Sequence, residues 1–168
     1  MDFSFSEEQE AVRELADRIF TDLSTHERLR ELEADADGDR FDRKLWAELA
    51  GAGLLGISLP ESVGGAGLGF VETSLIVEAA GRTAAYVPVV ETLATGAPAI
   101  ARFGTEAQQQ RWLPGVVSGD TVVTTATVRE VNGRAVIMDC VCKVDDKLVL
   151  ESEAHVLAPR RPSSANKD

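Results

Sequence analysis

Apolar residues recur at helical spacing through the first two thirds of the chain and then switch to strand-like alternation. Val12, Leu15, Ala16, Ile19, Phe20 and Leu23 form one apolar stripe of a first helix. Ser6 as N-cap with Gln9 three residues on reads as a capping box, and Glu7 and Glu8 suit the positive helix end. From Ser24 to Arg40 the chain is polar and acidic, which predicts a loop with some irregular helix. A second helix over Asp42 to Ala50 buries Leu45, Trp46 and Leu49, and Gly51 and Gly53 end it. A third runs from Phe70 to Arg82 with Leu75, Ile76, Ala79 and Ala80 inward. Pro88 opens a fourth that reaches Ala101, where Pro98 predicts a kink or a break. Thr105 and Gln108 make a second capping box for a fifth helix, which Pro114 ends or bends.

The period changes at Ser118-Gly119-Asp120. Thr121 to Val131 is rich in Val and Thr, and Asn132-Gly133 is a type I′ hairpin signal. Ala135 to Val144 alternates, Asp145-Asp146 marks a second tight turn, and Leu148 to Leu157 gives a third strand. The pattern therefore predicts an α+β chain: an N-terminal all-α helical bundle domain over 1–118, then a short three-stranded antiparallel β-meander over 119–159. Residues 160–168, basic and proline-bearing, read as a disordered tail. Three strands are stable only when an apolar face is covered, and exposed edges invite pairing, so the meander predicts an oligomer.

Composition narrows the classes. At 168 residues and 44% hydrophobic content the chain can build a real core. Its formal net charge of -11 opposes binding to nucleic acid or an anionic membrane surface. No stretch approaches a membrane span, and Met1-Asp2-Phe3-Ser4-Phe5 is no secretory leader, which reads as cytoplasmic. Cys140 and Cys142 lie two apart in a strand, facing the same side as Val136, Met138 and Val144, and read as core thiols; too few ligands are visible for zinc.

Candidate chemistry is sparse. Between two predicted helices lies Leu54-Leu55-Gly56-Ile57-Ser58-Leu59-Pro60-Glu61-Ser62-Val63-Gly64-Gly65-Ala66-Gly67-Leu68-Gly69. Its glycines permit positive φ and close backbone approach. It lacks the Lys-Ser/Thr ending of a phosphate loop, and no βαβ unit surrounds it, so a turn and packing role leads. His26 reads as a surface residue beside Glu27. His155 shares a strand face with Glu151 and Glu153, an exposed pairing rather than a metal site. Two histidines leave little room for a Ser-His-Asp set. Trp46, Trp112 and Tyr86 read as packing residues.

Taken in order, several of these pieces resemble the N-terminal domain of the acyl-CoA dehydrogenases. They are Phe5-Ser6-Glu7-Glu8-Gln9, Leu45-Trp46-Ala47-Glu48-Leu49 before Gly53-Leu54-Leu55-Gly56-Ile57, and Pro60-Glu61 with Gly64-Gly65-Ala66-Gly67. Glu78-Ala79-Ala80-Gly81-Arg82, Phe103-Gly104-Thr105-Glu106-Ala107-Gln108 and Trp112-Leu113-Pro114 with Ser118-Gly119-Asp120 complete the set. The resemblance covers about residues 1–120. It implies FAD-dependent α,β-dehydrogenation of acyl-CoA thioesters, in lipid or fatty-acid metabolism, by an oligomeric flavoprotein oxidoreductase. In that family FAD lies between a middle β-domain and a C-terminal bundle, and a glutamate of the bundle is the usual base. The glycine-rich turn lies toward the acyl chain. The resemblance therefore assigns no catalytic base and no metal ligand to this sequence, and leaves its cofactor-binding residues unassigned. Val128-Arg129-Glu130 stands where the family has a Thr-Glu-Pro-like motif, and no Gly-Ser-Asp segment follows.

The later strands resemble the closing strands of a MaoC-type hot-dog hydratase. That resemblance rests on Gly119-Asp120-Thr121 to Glu130, Val136-Ile137-Met138-Asp139-Cys140-Val141-Cys142, Leu148-Val149-Leu150-Glu151-Ser152-Glu153-Ala154 and Val156-Leu157-Ala158-Pro159. The catalytic Asp and His of that family lie upstream of these strands, so Asp120 and His155 are not promoted into them. Three functions stay open: a truncated or fused dehydrogenase-family chain inactive by itself, a non-catalytic partner or scaffold of a dehydrogenase or hydratase complex, and a relic without activity.

Overall fold

The computed structural model describes residues 4–35, 40–144 and 147–157. Its helices are α1 (Glu7–Leu23), α2 (His26–Ala34), α3 (Arg43–Gly51), α4 (Phe70–Arg82), α5 (Ala97–Phe103) and α6 (Glu106–Val117), with a π-helix over Val90–Gly96. Strands β1 (Val122–Asn132), β2 (Ala135–Val144) and β3 (Lys147–Leu157) follow as an antiparallel sheet in the order β1-β2-β3. The fold is α+β, helices first and a three-stranded meander after them.

Local chemistry accounts for the helix starts. Ser6 Oγ accepts the Gln9 amide at 3.2 Å while Gln9 Oε1 accepts the Ser6 amide at 3.0 Å. Thr105 and Gln108 repeat the arrangement at α6. Each such cap satisfies donors that the helix leaves open, worth about 1 kcal/mol. Phe20, Ala16 and Val12 of α1 pack with Ile76, Ala79 and Ala80 of α4 and with Leu45 and Leu49 of α3. Burying a side chain such as Phe20 stabilises by about 1.5–3 kcal/mol. A second cluster joins Leu59 and Val63 to Ala97 of α5 and to Trp112, Leu113 and Val116 of α6.

Three elements depart from the sequence reading. The acidic stretch predicted as irregular contains a regular helix, α2, capped by the Thr25 hydroxyl. No α2 residue is fully buried, so hydrophobic period could not reveal it; polar bonds hold it instead. Pro98 neither breaks nor sharply ends its helix. Lacking an N–H and colliding with the carbonyl four residues back, it is met by widening the preceding turn to π spacing, with the Ala97 amide bonded to Thr92 O. Pro114 lies inside α6, which continues to Val117 because Trp112, Leu113 and Val116 are anchored in the core.

The hairpin is also shifted by one residue. Asn132 pairs with Ala135, so Gly133-Arg134 is the loop, and positive φ occurs at Gly133 (60°) but not at Arg134. A positive first central residue matches a type II′ turn rather than the expected I′. A bulge between Val128 and Glu130 leaves Arg129 as the extra residue of β1. The second turn, Asp145-Asp146, and the tail 160–168 lie outside the described residues.

Gly81 is an exposed position within α4, and a methyl group added there would meet nothing within 4 Å. Gly81→Ala should therefore stabilise by about 0.5–1 kcal/mol, by restricting the unfolded chain, and raise the urea midpoint without changing its slope.

Candidate functional site

The glycine-rich segment is a folded structure in its own right. Gly53, at φ 75°, stops α3 in the left-handed conformation. A 3₁₀ turn over Leu54–Gly56 drives Leu54 and Leu55 into the first core. Leu59 then enters the second core, and a further 3₁₀ turn over Glu61–Val63 adds Val63. This single segment thus joins the two apolar clusters.

Its amides are consumed internally. Gly64 N–H donates to Glu61 O at 2.9 Å, Gly65 to Pro60 O at 3.1 Å and Ala66 to Gly56 O at 3.0 Å. Gly67 donates to Leu59 O at 2.8 Å and Leu68 to Ile57 O at 3.0 Å. Gly69 donates to Glu72 Oε2 at 2.9 Å. A phosphate-binding nest needs successive amides aimed outward, and this run has none to spare. The turn and packing role read from sequence matches this geometry.

Glu72 locks the exit. Gly69 has no side chain to cap α4, so the carboxylate of Glu72 does half of the capping box by taking the Gly69 amide. Its other oxygen accepts Gln9 Nε2 at 3.0 Å, which ties the start of α1 to the start of α4. The Gln9 amide, with backbone amides, holds the buried Glu72 carboxyl below its usual range despite burial. The one signal the sequence offered for this contact was an acid three residues after a glycine.

Phe70 and Val71, directly after the turn, are exposed. The hydroxyls of Thr73 in α4 and of Thr92 in the adjoining π-helix are buried without hydrogen-bond partners. Trp46 does more than pack: its Nε1 donates to Gly119 O at 2.7 Å, fixing the point where α6 turns toward β1. Trp112 is a core residue under Arg111, whose guanidinium stands 4.6 Å from its ring centre. Tyr86 donates its hydroxyl to Glu33 Oε1 at 3.1 Å and so helps anchor α2. His26 is exposed at the start of α2.

On the sheet, the bulge points Arg129 at carboxylates on both other strands. It bonds Asp139 Oδ1 at 2.8 Å and also bonds Glu153, which His155 contacts from the other side. His155 and Arg129 together hold the Glu153 carboxyl below its usual range. The group is exposed, with Arg129 paired to both carboxylates. Among the described residues no cluster of His, Cys, Asp and Glu is arranged to hold a metal. Cys140 is only half-buried, not the core thiol expected. The side chain of Cys142 lies outside the described residues. Asp120 stands apart from His155, tucked against Gly115, where its amide bonds Gly115 O at 2.9 Å.

Comparison with known proteins gives a consistent picture. The family model for the acyl-CoA dehydrogenase N-terminal domain matches residues 6–120. Acyl-CoA dehydrogenase FadE27 of Mycobacterium tuberculosis is 41% identical over 126 residues, covering 75% of this chain and 33% of that protein. The ChsE4-ChsE5 complex from Mycobacterium tuberculosis superposes with a TM-score of 0.68 at 33% identity, covering 83% of this chain and 40% of its counterpart. A variant of the Tcur3481-Tcur3483 steroid ACAD gives 0.63 at 42% identity, covering 79% of this chain and 39% of that one. Coverage of 83% carries the likeness beyond the helices into the sheet. The chain spans about a third of the length of that curated relative. No helix among the described residues is long and apolar enough to cross a membrane.

Proposed function

The chain belongs to the acyl-CoA dehydrogenase family through its N-terminal domain, and on that premise we propose that it forms the helical wall of an acyl-CoA thioester site in an FAD-dependent dehydrogenase and is inactive by itself. The observation that carries this is the glycine-rich segment, whose amides are saturated and whose apolar residues join both cores. Such a segment is a rigid wall, suited to apolar contact, and not a reagent. In the family it lies toward the acyl chain.

FAD is the family's cofactor, and the glycine-rich run does not fit its phosphates. Its pyrophosphate would need outward amides, which the run from Gly64 to Gly69 does not offer. In the helical part the buried ionised side chains are already engaged: Glu72 by Gln9 and Gly69, Asp42 by Arg28. We therefore derive no flavin step from these residues. On this reading the cofactor and the base come from polypeptide outside this sequence, in the same assembly.

The proposal divides the chain at 118 and 119, where the Trp46 bond to Gly119 pins the joint. The strands, which also resemble the end of a hot-dog hydratase, are then the opening of the family's β-domain, in keeping with a likeness that runs past residue 120. An oligomer, of like or unlike subunits, is part of the same reading; one of the similar structures is a complex of ChsE4 with ChsE5. A role as a non-catalytic subunit in such a complex is the variant of this reading that leaves the base entirely to a partner. A cytoplasmic location belongs to the proposal as well.

The test is a visible absorption spectrum after incubation with FAD and removal of free flavin. The expected result is no retained flavin band and no dehydrogenation of acyl-CoA by the chain alone. A retained band with the protein's stoichiometry would overturn the assignment of FAD to other polypeptide.

A further inference from the structure

The hydroxyls of Thr73 in α4 and Thr92 in the π-helix are sealed from solvent and unpaired, and both residues are 0% exposed. Hydroxyls elsewhere in the same two elements and at their ends behave otherwise. Ser74 donates to Phe70 O at 2.8 Å, Thr83 to Ala79 O at 3.1 Å and Thr95 to Glu91 O at 2.7 Å. Turning back onto the helix's own backbone is the local outlet for such a group, and Thr73 and Thr92 do not take it. The two elements are in contact, and both threonines border one apolar cluster. Ile76 and Ala80, three and seven residues on from Thr73, belong to it, as do Val89 and Leu93, which flank Thr92 in sequence.

We propose that Thr73 and Thr92 share one internal water, which pins α4 to the π-helix. The inference stands apart from the acyl-CoA reading above. Burial selects the ligand. Neither oxygen opens onto a surface, so polypeptide docked outside this chain reaches neither. A hydroxyl is neutral and both gives and takes a hydrogen bond, which suits water. A metal ion would need carboxylates or imidazoles, and among the described residues no such cluster exists. The π spacing supplies a third partner. The Ala97 amide donates to Thr92 O, five residues back. The next amide in that series would serve Leu93 O, but it falls at Pro98, which has no N–H. Leu93 is itself buried. Two hydroxyls and one carbonyl make the roughly three bonds that a buried water forms.

Urea unfolding of the full chain tests this through valine, which has the shape of threonine without its hydroxyl. Thr73→Val and Thr92→Val should each lower the folding equilibrium constant about fivefold or more, because each leaves the water and the other hydroxyl short of a partner. The double variant should lose much less than the product of the two, since a shared water is lost only once. Thr92→Ser keeps a hydroxyl, so Thr73→Val made in that background should cost its full amount. A single valine variant more stable than the parent would mean a dry, unsatisfied hydroxyl and would overturn the proposal. Losses that simply multiply would mean two separate partners and would overturn it as well.

Discussion

Gly65→Ala should cost about 3 kcal/mol or more, a large share of the roughly 5–15 kcal/mol by which a domain is ordinarily stable. A Cβ at this position would stand 2.5 Å from the carbonyl carbon of Leu59 and 2.7 Å from its Cβ, and nearer still to its oxygen. These are chiefly backbone atoms, and they cannot swing aside as a side-chain tip would. Leu59 is itself buried in the second core, and its carbonyl accepts the Gly67 amide, so retreat would break both. The neighbouring Gly64 makes the comparison. Gly64 has φ 87° but only Val117 nearby, at 3.9 Å, so Gly64→Ala should cost only the left-handed strain of about 1–2 kcal/mol. Urea unfolding of both variants separates crowding from strain. If Gly65→Ala proved no more harmful than Gly64→Ala, close backbone approach would not be what fixes this turn.

That contrast also marks how far the sequence was legible. The helix caps at Ser6 and Thr105, the limits of α4 and the three strands are written in local residue types and period, and the structure has them where those signals lie. The glycine cluster announced a close approach, but which glycine faces the Leu59 backbone depends on a fold made between residues already placed. Helix α2 escaped because it buries no complete side chain, so its evidence is an ion pair formed with a residue far along the chain. The π-helix escaped because proline was expected to interrupt a helix, whereas one widened turn satisfies the same steric demand. The Arg129 cluster escaped because a bulge moved Arg129 out of simple alternation. In the candidate site the apolar wall could be read; the Gln9 to Glu72 clamp behind it, a contact across 63 positions, could not.

Asp42→Ala should remove about 3 kcal/mol at neutral pH, from the loss of an α3 cap and of a charge-assisted pair. Asp42 is 2% exposed and does two jobs. Its Oδ1 accepts the Lys44 and Leu45 amides at 3.2 and 3.3 Å, opening α3. Its two oxygens also receive Arg28 Nε at 2.9 Å and Nη2 at 3.2 Å, the tie that holds α2 to the body. Arg28 remains 35% exposed, so solvent screens the pair and the figure belongs at the lower end for a buried ion pair. Asp42→Asn, which keeps an acceptor for the α3 amides, should lose about half as much.

The pH dependence fixes the assignment. Burial acts to raise the Asp42 carboxyl, but Arg28 and the Leu45 and Lys44 amides outweigh it and hold it below the usual aspartate range. A lowered folded value means that the unfolded chain binds the proton first on acidification. Its contribution is therefore whole above the ordinary aspartate value of about 3.9 and falls away as pH drops through the folded one. Glu72, lowered by Gln9, adds a loss of the same sign. The stability gap between the parent chain and Asp42→Ala should thus be flat from neutral pH down to about pH 5 and narrow below it. Amide exchange gives the spatial half of the answer: in Asp42→Ala, α2 should open before α1 and α4, because its remaining anchors are the exposed Tyr86–Glu33 bond and half-buried leucines. A gap that stayed constant into acid would mean that the ionised form of Asp42, whether through Arg28 or through the α3 amides, does not carry the effect.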